Sequence, residues 1–263
     1  MAVRAFAALF VALIVAAASP ARAFEPASTG VVVIHGKWGR PGGLGSGPLA
    51  AAVRSAGFIV DEPEMPWSGQ RLYDRSFDDA MAEIDAAVAR LRAAGAKKVV
   101  IAGHSLGGSA ALHYATLGRP IDAVVLIAPA PMPEGLFYRR QLADGLARAR
   151  QMVAAGHGAD IADFTDLNSG DRSRVLRVKA AIYLSYNSAD GPASMAGNAA
   201  RLGRVPLLWI APRFDPLTPV IDRLIWPKIQ AETPATRIEV IADHMQSPIT
   251  GRQAVIDWMH SLK

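Results

Sequence analysis

Lys97-Lys98-Val99-Val100-Ile101-Ala102-Gly103-His104-Ser105-Leu106-Gly107-Gly108 decides how the rest of the chain is read. Val99 to Ala102 is short, apolar and rich in β-branched residues, as expected of a buried strand in a parallel sheet. Gly103 to Gly107 follows at once and fits G-x-S-x-G. Ala110, Ala111, Leu112, Tyr114 and Ala115 then continue with helix formers at helical apolar spacing. Strand, sharp turn and helix supply the context that the bare pattern lacks. The two glycines let the backbone turn tightly enough to hold Ser105 in a strained conformation, with its hydroxyl above the sheet edge. The helix starting there aims its N-terminal N–H groups and positive dipole end at the same point. The Leu106 N–H is thereby suited to an oxyanion.

Gly103-His104-Ser105-Leu106-Gly107-Gly108 resembles the nucleophile elbow of the α/β-hydrolase family, and the resemblance extends over nearly all of the chain after residue 23. Upstream, Gly30 to His35 reads as a buried strand ended by Gly36. His35-Gly36-Lys37-Trp38 resembles the His-Gly turn of that family. The match implies that Lys37 or Trp38 donates a second backbone N–H to an oxyanion, leaving the side chains free to line a pocket. His35 is read as a structural histidine bonded to loop backbone. Gly39 to Gly47 is glycine-rich but lacks the G-K-[ST] ending of a phosphate loop, so a mobile loop over the site is expected.

The remaining pattern is strand and helix in alternation. Leu49 to Ser55 reads as a helix and Phe58 to Val60 as a strand leading into the proline-broken loop Asp61 to Trp67. Trp67 either walls a pocket or covers a core edge. Phe77, Met81, Ile84, Val88 and Leu91 recur at helical spacing, which predicts a core helix over about 78–94. Ile121 to Ala128 is the next strand, broken by Pro129, Pro131 and Pro133. Alternation then lapses: Gln141 to Ala155 looks helical and Gly156 to Gly170 polar and turn-rich. The family resemblance implies an insertion here, so Met132 to Arg177 is expected to form a small cap or lengthened connecting helices. Ala180 to Ser185 fits strand or helix. Val205 to Ala211 and Arg237 to Ala242 are further strands, followed by Pro212 to Pro219 and by Asp243-His244-Met245. A C-terminal helix carries Ala254, Val255, Trp258 and Met259. The predicted fold is α/β: a doubly wound, mostly parallel sheet with its site at the C-terminal ends of the strands.

Ser105, Asp215 and His244 stand in the chain order of this fold, each just past a predicted strand. A serine hydroxyl needs an adjacent base, imidazole titrates near neutrality, and a carboxylate fixes the imidazole tautomer. Asp190 and Asp243 are alternative acids, and His35, His104, His113, His157 and His260 alternative bases. Trp38, Trp67 and Met132 fall on loops expected to wall the pocket. The residues point to a serine hydrolase of carboxylic esters acting through an acyl-enzyme. A thioesterase, amidase or peptidase with the same triad is an alternative, and so is a non-catalytic binding protein on the same fold.

Composition narrows the classes. The 263 residues carry a net charge of +5, with basic residues scattered and no aromatic platform, so nucleic acid is not an expected partner; a small ester-like molecule is. There is no cysteine, no H-E-x-x-H and no clustering of the six histidines, so thiolate chemistry is excluded and neither metal nor cofactor is expected. Arg4, the apolar run Ala5 to Ala18 and Ala21-Arg22-Ala23 read as a cleavable signal peptide. Residues 24–263 then form a periplasmic or secreted enzyme beginning at Phe24, with no stable membrane anchor.

Overall fold

The computed structural model describes residues 24–168 and 172–263; the signal-peptide expectation falls outside them. Eight strands and ten α-helices alternate for most of this length. In order they are β1 (Thr29–Ile34), α1 (Gly47–Ser55), β2 (Ile59–Asp61), α2 (Ala80–Ala93), β3 (Lys98–His104), α3 (Leu106–Ala115) and β4 (Ala123–Ile127). Then come α4 (Leu136–Gln141), α5 (Ala143–Ala154), β5 (Ile161–Leu167), β6 (Ser173–Lys179), α6 (Ala180–Asn187) and α7 (Met195–Arg201). The chain closes with β7 (Leu207–Pro212), α8 (Thr218–Leu224), β8 (Ala235–Val240), α9 (Ser247–Thr250) and α10 (Arg252–Ser261).

Six strands form one sheet in the order β2-β1-β3-β4-β7-β8, every pairing parallel. The apolar runs that predicted buried strands divide their side chains between its two faces. Val32, Ile34, Val99, Ile101, Val124, Leu126 and Trp209 enter one core, which packs on α2, α3 and the segments after β4. Val31, Val33, Val100, Ala102, Val125, Ile127 and Ile210 enter the other, against α1 and α10. Burial on both faces is why these strands lack an apolar–polar alternation. Because all six run the same way, the segments leaving β1, β3, β7 and β8 emerge at one edge.

The stretch 132–177 holds α4, α5 and an antiparallel hairpin of β5 and β6. β5 lies within Gly156 to Gly170, which the sequence suggested to be polar turns, and β6 follows where no strand was expected. Along β5, Ala162, Phe164 and Asp166 face inward while Ile161, Asp163 and Thr165 face out. An aspartate on the inward side and an isoleucine on the outward side hide the period of two. Residues 180–185, which fitted either element, belong to helix α6. The helix after β7 ends at Leu224, and Pro227 sits in a 3-10 turn, Trp226–Lys228.

Candidate active site

β3 delivers the chain into Ser105 at φ +56° and ψ −122°, and α3 begins at the next residue. Positive φ is costly for a residue with a Cβ, on the order of 1–3 kcal/mol. Here the surroundings enforce it: Ser105 N–H donates to Ile127 O at 3.0 Å, while Ser105 O accepts from Gly108, Ser109 and Ala130. The flanking glycines are steric requirements. A Cβ on Gly103 would lie 2.0 Å from Gly107 O, and one on Gly107 2.4 Å from Ile34 O.

The turns after β7 and β8 bring the two distant partners. His244 Nε2 lies 3.0 Å from Ser105 Oγ, and His244 Nδ1 lies 2.6 Å from Asp215 Oδ2. A carboxylate oxygen only accepts, so Nδ1 carries the hydrogen and, in the neutral ring, Nε2 is left to accept from the serine. Asp215 is itself held: Oδ1 accepts the Leu217 N–H at 2.9 Å. All three side chains are buried.

The other candidates lie elsewhere. Asp190 is exposed and accepts from Ser188 Oγ at 2.7 Å, a bond that lowers its pKa. Asp243 is exposed and accepts the Gln246 N–H within its own turn. His35 Nδ1 bonds Gly36 O and its Nε2 accepts the Met65 N–H; burial lowers its pKa. His113 bonds Asn198 and Asp78, His157 bonds Asp160, and His260 packs on Phe58. His104, adjacent to the serine, has a part that sequence reasoning did not assign. Its Nε2–H donates to His244 O at 3.0 Å. Burial first, and the neighbouring His244 second, push its pKa down to about 3, so it is neutral.

The Leu106 N–H opens α3 beside Ser105. Of the two expected partner donors, Trp38 is eliminated as a backbone donor: its N–H already donates to Trp67 O at 2.9 Å. Lys37 N–H is not so committed among the described residues. The turn lies against the serine, since a Cβ on Gly36 would meet Ser105 Cβ at 3.0 Å.

A cavity of about 510 Å³ opens over Ser105 and His244, with Trp38, Leu44, Gln70 and Met245 among its walls. Trp38 lines it as expected, whereas Trp67 and Met132 do not. Trp67 is fully buried, donates Nε1–H to His35 O at 3.0 Å and stacks on Phe77. Met132 is buried in the core. Both loops reach the edge, but these side chains turn inward, where more apolar area leaves water. A larger cavity of about 690 Å³, walled by Arg139, Arg140, Arg150 and Asp190, shares no residue with the serine site and contains no nucleophile–base pair. Among the described residues no group of three His, Cys, Asp or Glu side chains is placed to hold a metal.

Solved structures share this architecture. Est1E of Butyrivibrio proteoclasticus with ferulic acid bound is 16% identical, with a TM-score of 0.61 and 88% of each chain covered. A monoacylglycerol lipase of Paleococcus ferrophilus is 22% identical, with a TM-score of 0.56 over 90% of this chain and 95% of that one. The esterase domain of a Rhodothermus marinus protein is 16% identical, with a TM-score of 0.58 over 90% and 88%. At these identities the likeness establishes the fold. No curated protein matches the sequence significantly. The profile of the alpha/beta hydrolase family matches residues 31–258, and the chain belongs to that family.

Proposed function

We propose that this protein is a serine hydrolase of carboxylic esters, with Ser105 as nucleophile, His244 as general base and acid, and Asp215 as the carboxylate that orients the imidazole. One observation carries the reading: the continuous bonded path Asp215 Oδ2–His244 Nδ1 and His244 Nε2–Ser105 Oγ, ending on a serine held at positive φ. Ser105 Oγ attacks the ester carbonyl as His244 Nε2 takes its proton. The oxygen that becomes negative is met by the N–H groups of Leu106 and Lys37. Collapse expels the alcohol with the proton from His244, leaving an acyl group on Ser105. Water, deprotonated by the same ring, releases the acid.

The substrate of this reading is a small ester seated against Trp38, Leu44 and Met245. Export to the periplasm or medium, with the mature chain beginning at Phe24, is supported by Arg4, the apolar run and Ala21-Arg22-Ala23. Among the described residues no helix is long and apolar enough to cross a membrane. Turnover of 4-nitrophenyl acetate and butyrate against 4-nitrophenyl phosphate tests the reaction class. The short-chain esters should be cleaved much faster; preference for the phosphoester would overturn the assignment.

A further inference from the structure

We propose that Asp166, on the cap hairpin, is a positioning residue for the oxyanion-binding turn: it holds Lys37 and Trp38 where the Lys37 N–H meets the developing negative oxygen. The inference rests on the ester-hydrolase reading above and adds to it a residue 129 positions away in sequence from Lys37.

Asp166 sits at the inward side of β5 with its side chain 1% exposed. A carboxylate so buried keeps its charge only when paired and hydrogen-bonded. Lys37 Nζ, itself 4% exposed, donates to Oδ1 at 2.7 Å and also to Leu167 O at 2.8 Å. Trp38 Nε1–H and Tyr73 O–H both donate to Oδ2, at 2.8 and 2.9 Å. Two neighbouring side chains of the oxyanion turn thus end on one carboxylate.

The backbone says what this carboxylate holds in place. Trp38 has φ +57° and Tyr73 φ +63°, left-handed conformations that bulky aromatics rarely take. They stand on separate loops, yet both donate to Asp166 Oδ2. Strain of this kind persists only where the surroundings over-determine it. At Trp38 they do: its N–H is tied to Trp67 O and its indole to Asp166, while the preceding side chain is tied to Asp166 through an ion pair. The peptide between the two is thus tethered from both sides. An oxyanion donor acts only from a position set within fractions of an ångström.

Asp166→Asn separates positioning from bulk stability. The amide must turn its NH₂ either toward the Lys37 ammonium or toward the Trp38 and Tyr73 donors, so one side of the clamp is lost whichever way it sits. Deleting an oxyanion donor costs on the order of 10²–10³ in kcat, and loosening one should cost less, about 30-fold. KM should stay within about threefold, because the ground-state carbonyl gains little from the donor. Affinity for an arylboronic acid, which forms a tetrahedral adduct on the serine, should fall by the same factor as kcat/KM. If Asp166→Asn does not fold, Tyr73→Phe removes one donor from a residue that does not line the cavity. It should lower kcat and boronate affinity together by about three- to tenfold. A variant with a lower melting temperature but wild-type kcat and boronate affinity makes Asp166 a purely structural clamp and overturns the inference. An inactive wild-type protein overturns the ester-hydrolase reading and this inference with it.

Discussion

Asp215→Asn should disable the enzyme through the tautomer of His244, and the structure sets the size of the effect. Asp215 Oδ1 accepts the Leu217 N–H at 2.9 Å, so the asparagine must keep its carbonyl there. Its NH₂ then faces His244 Nδ1, 2.6 Å away in the wild type, and the ring must carry its hydrogen on Nε2. That hydrogen points at Ser105 Oγ, and the ring can no longer accept the serine proton. Flipping the amide restores the tautomer but sets an N–H against the Leu217 N–H, costing about 1–3 kcal/mol for the unmet donor. The productive form is thereby reduced roughly 5- to 150-fold at 1.36 kcal/mol per decade. Loss of the negative charge facing the imidazolium removes about 1.5–3 kcal/mol more. Together these amount to about 2.5–6 kcal/mol and predict a fall of about 10²–10⁴ in kcat, the upper end reaching the value known for the serine-protease triad. The assay is 4-nitrophenyl butyrate hydrolysis at neutral pH, with circular dichroism to verify folding. Asp190→Asn, on an exposed turn, is the control and should stay within about twofold. A loss below about tenfold in Asp215→Asn, or an inactive Asp190→Asn, would refute the reasoning.

Gly107→Ala places a methyl carbon 2.4 Å from Ile34 O, a backbone atom that cannot swing away. The variant should lose about 3 kcal/mol or more, lowering the melting temperature by roughly 6–12 °C; a wild-type melting curve would contradict this. His104 should make stability pH-dependent. Its folded pKa of about 3 lies below the unfolded value of 6.5, so the unfolded chain binds the proton first. Its contribution is intact above pH 6.5 and is lost as pH falls toward 3, with a slope on the order of 1 kcal/mol per unit. His104→Gln keeps a donor for His244 O but does not titrate, so urea midpoints between pH 6 and 4 should fall less steeply than in the wild type; equal slopes would argue against it. Mass spectrometry of protein exported by a producing cell should find Phe24 as the first residue, and retained Met1 would sink the export proposal.

What the sequence disclosed follows the range of the forces involved. The elbow was legible because its strand, glycines and helix are contiguous in the chain, although only the contact that demands Gly103, with Gly107 O, is local; the one that demands Gly107 comes from Ile34 O. Ser105, Asp215 and His244 were legible as a set because parallel strands deliver their C-terminal ends to one edge, so strand order substituted for distance. The hairpin was not. An inward aspartate and an outward isoleucine on β5, and an outward Val175 on β6, break the apolar period of both strands. Asp166 itself had no sequence signature, because its partners Lys37, Trp38 and Tyr73 come from loops far along the chain. Trp67 and Met132 show the converse limit. Their loops were placed at the right edge, but a loop's position does not decide whether a large side chain turns to the cavity or to the core.

The most direct test of the central claim is covalent labelling of the wild type and Ser105→Ala by a fluorophosphonate, read by intact mass and peptide mapping. The wild type should gain one adduct, mapped to Ser105 and accompanied by complete loss of ester hydrolysis. The folded Ser105→Ala protein should gain none and hydrolyse esters on the order of 10⁴-fold more slowly. Labelling at another residue, or an active Ser105→Ala protein, would contradict the assignment of Ser105 as the nucleophile.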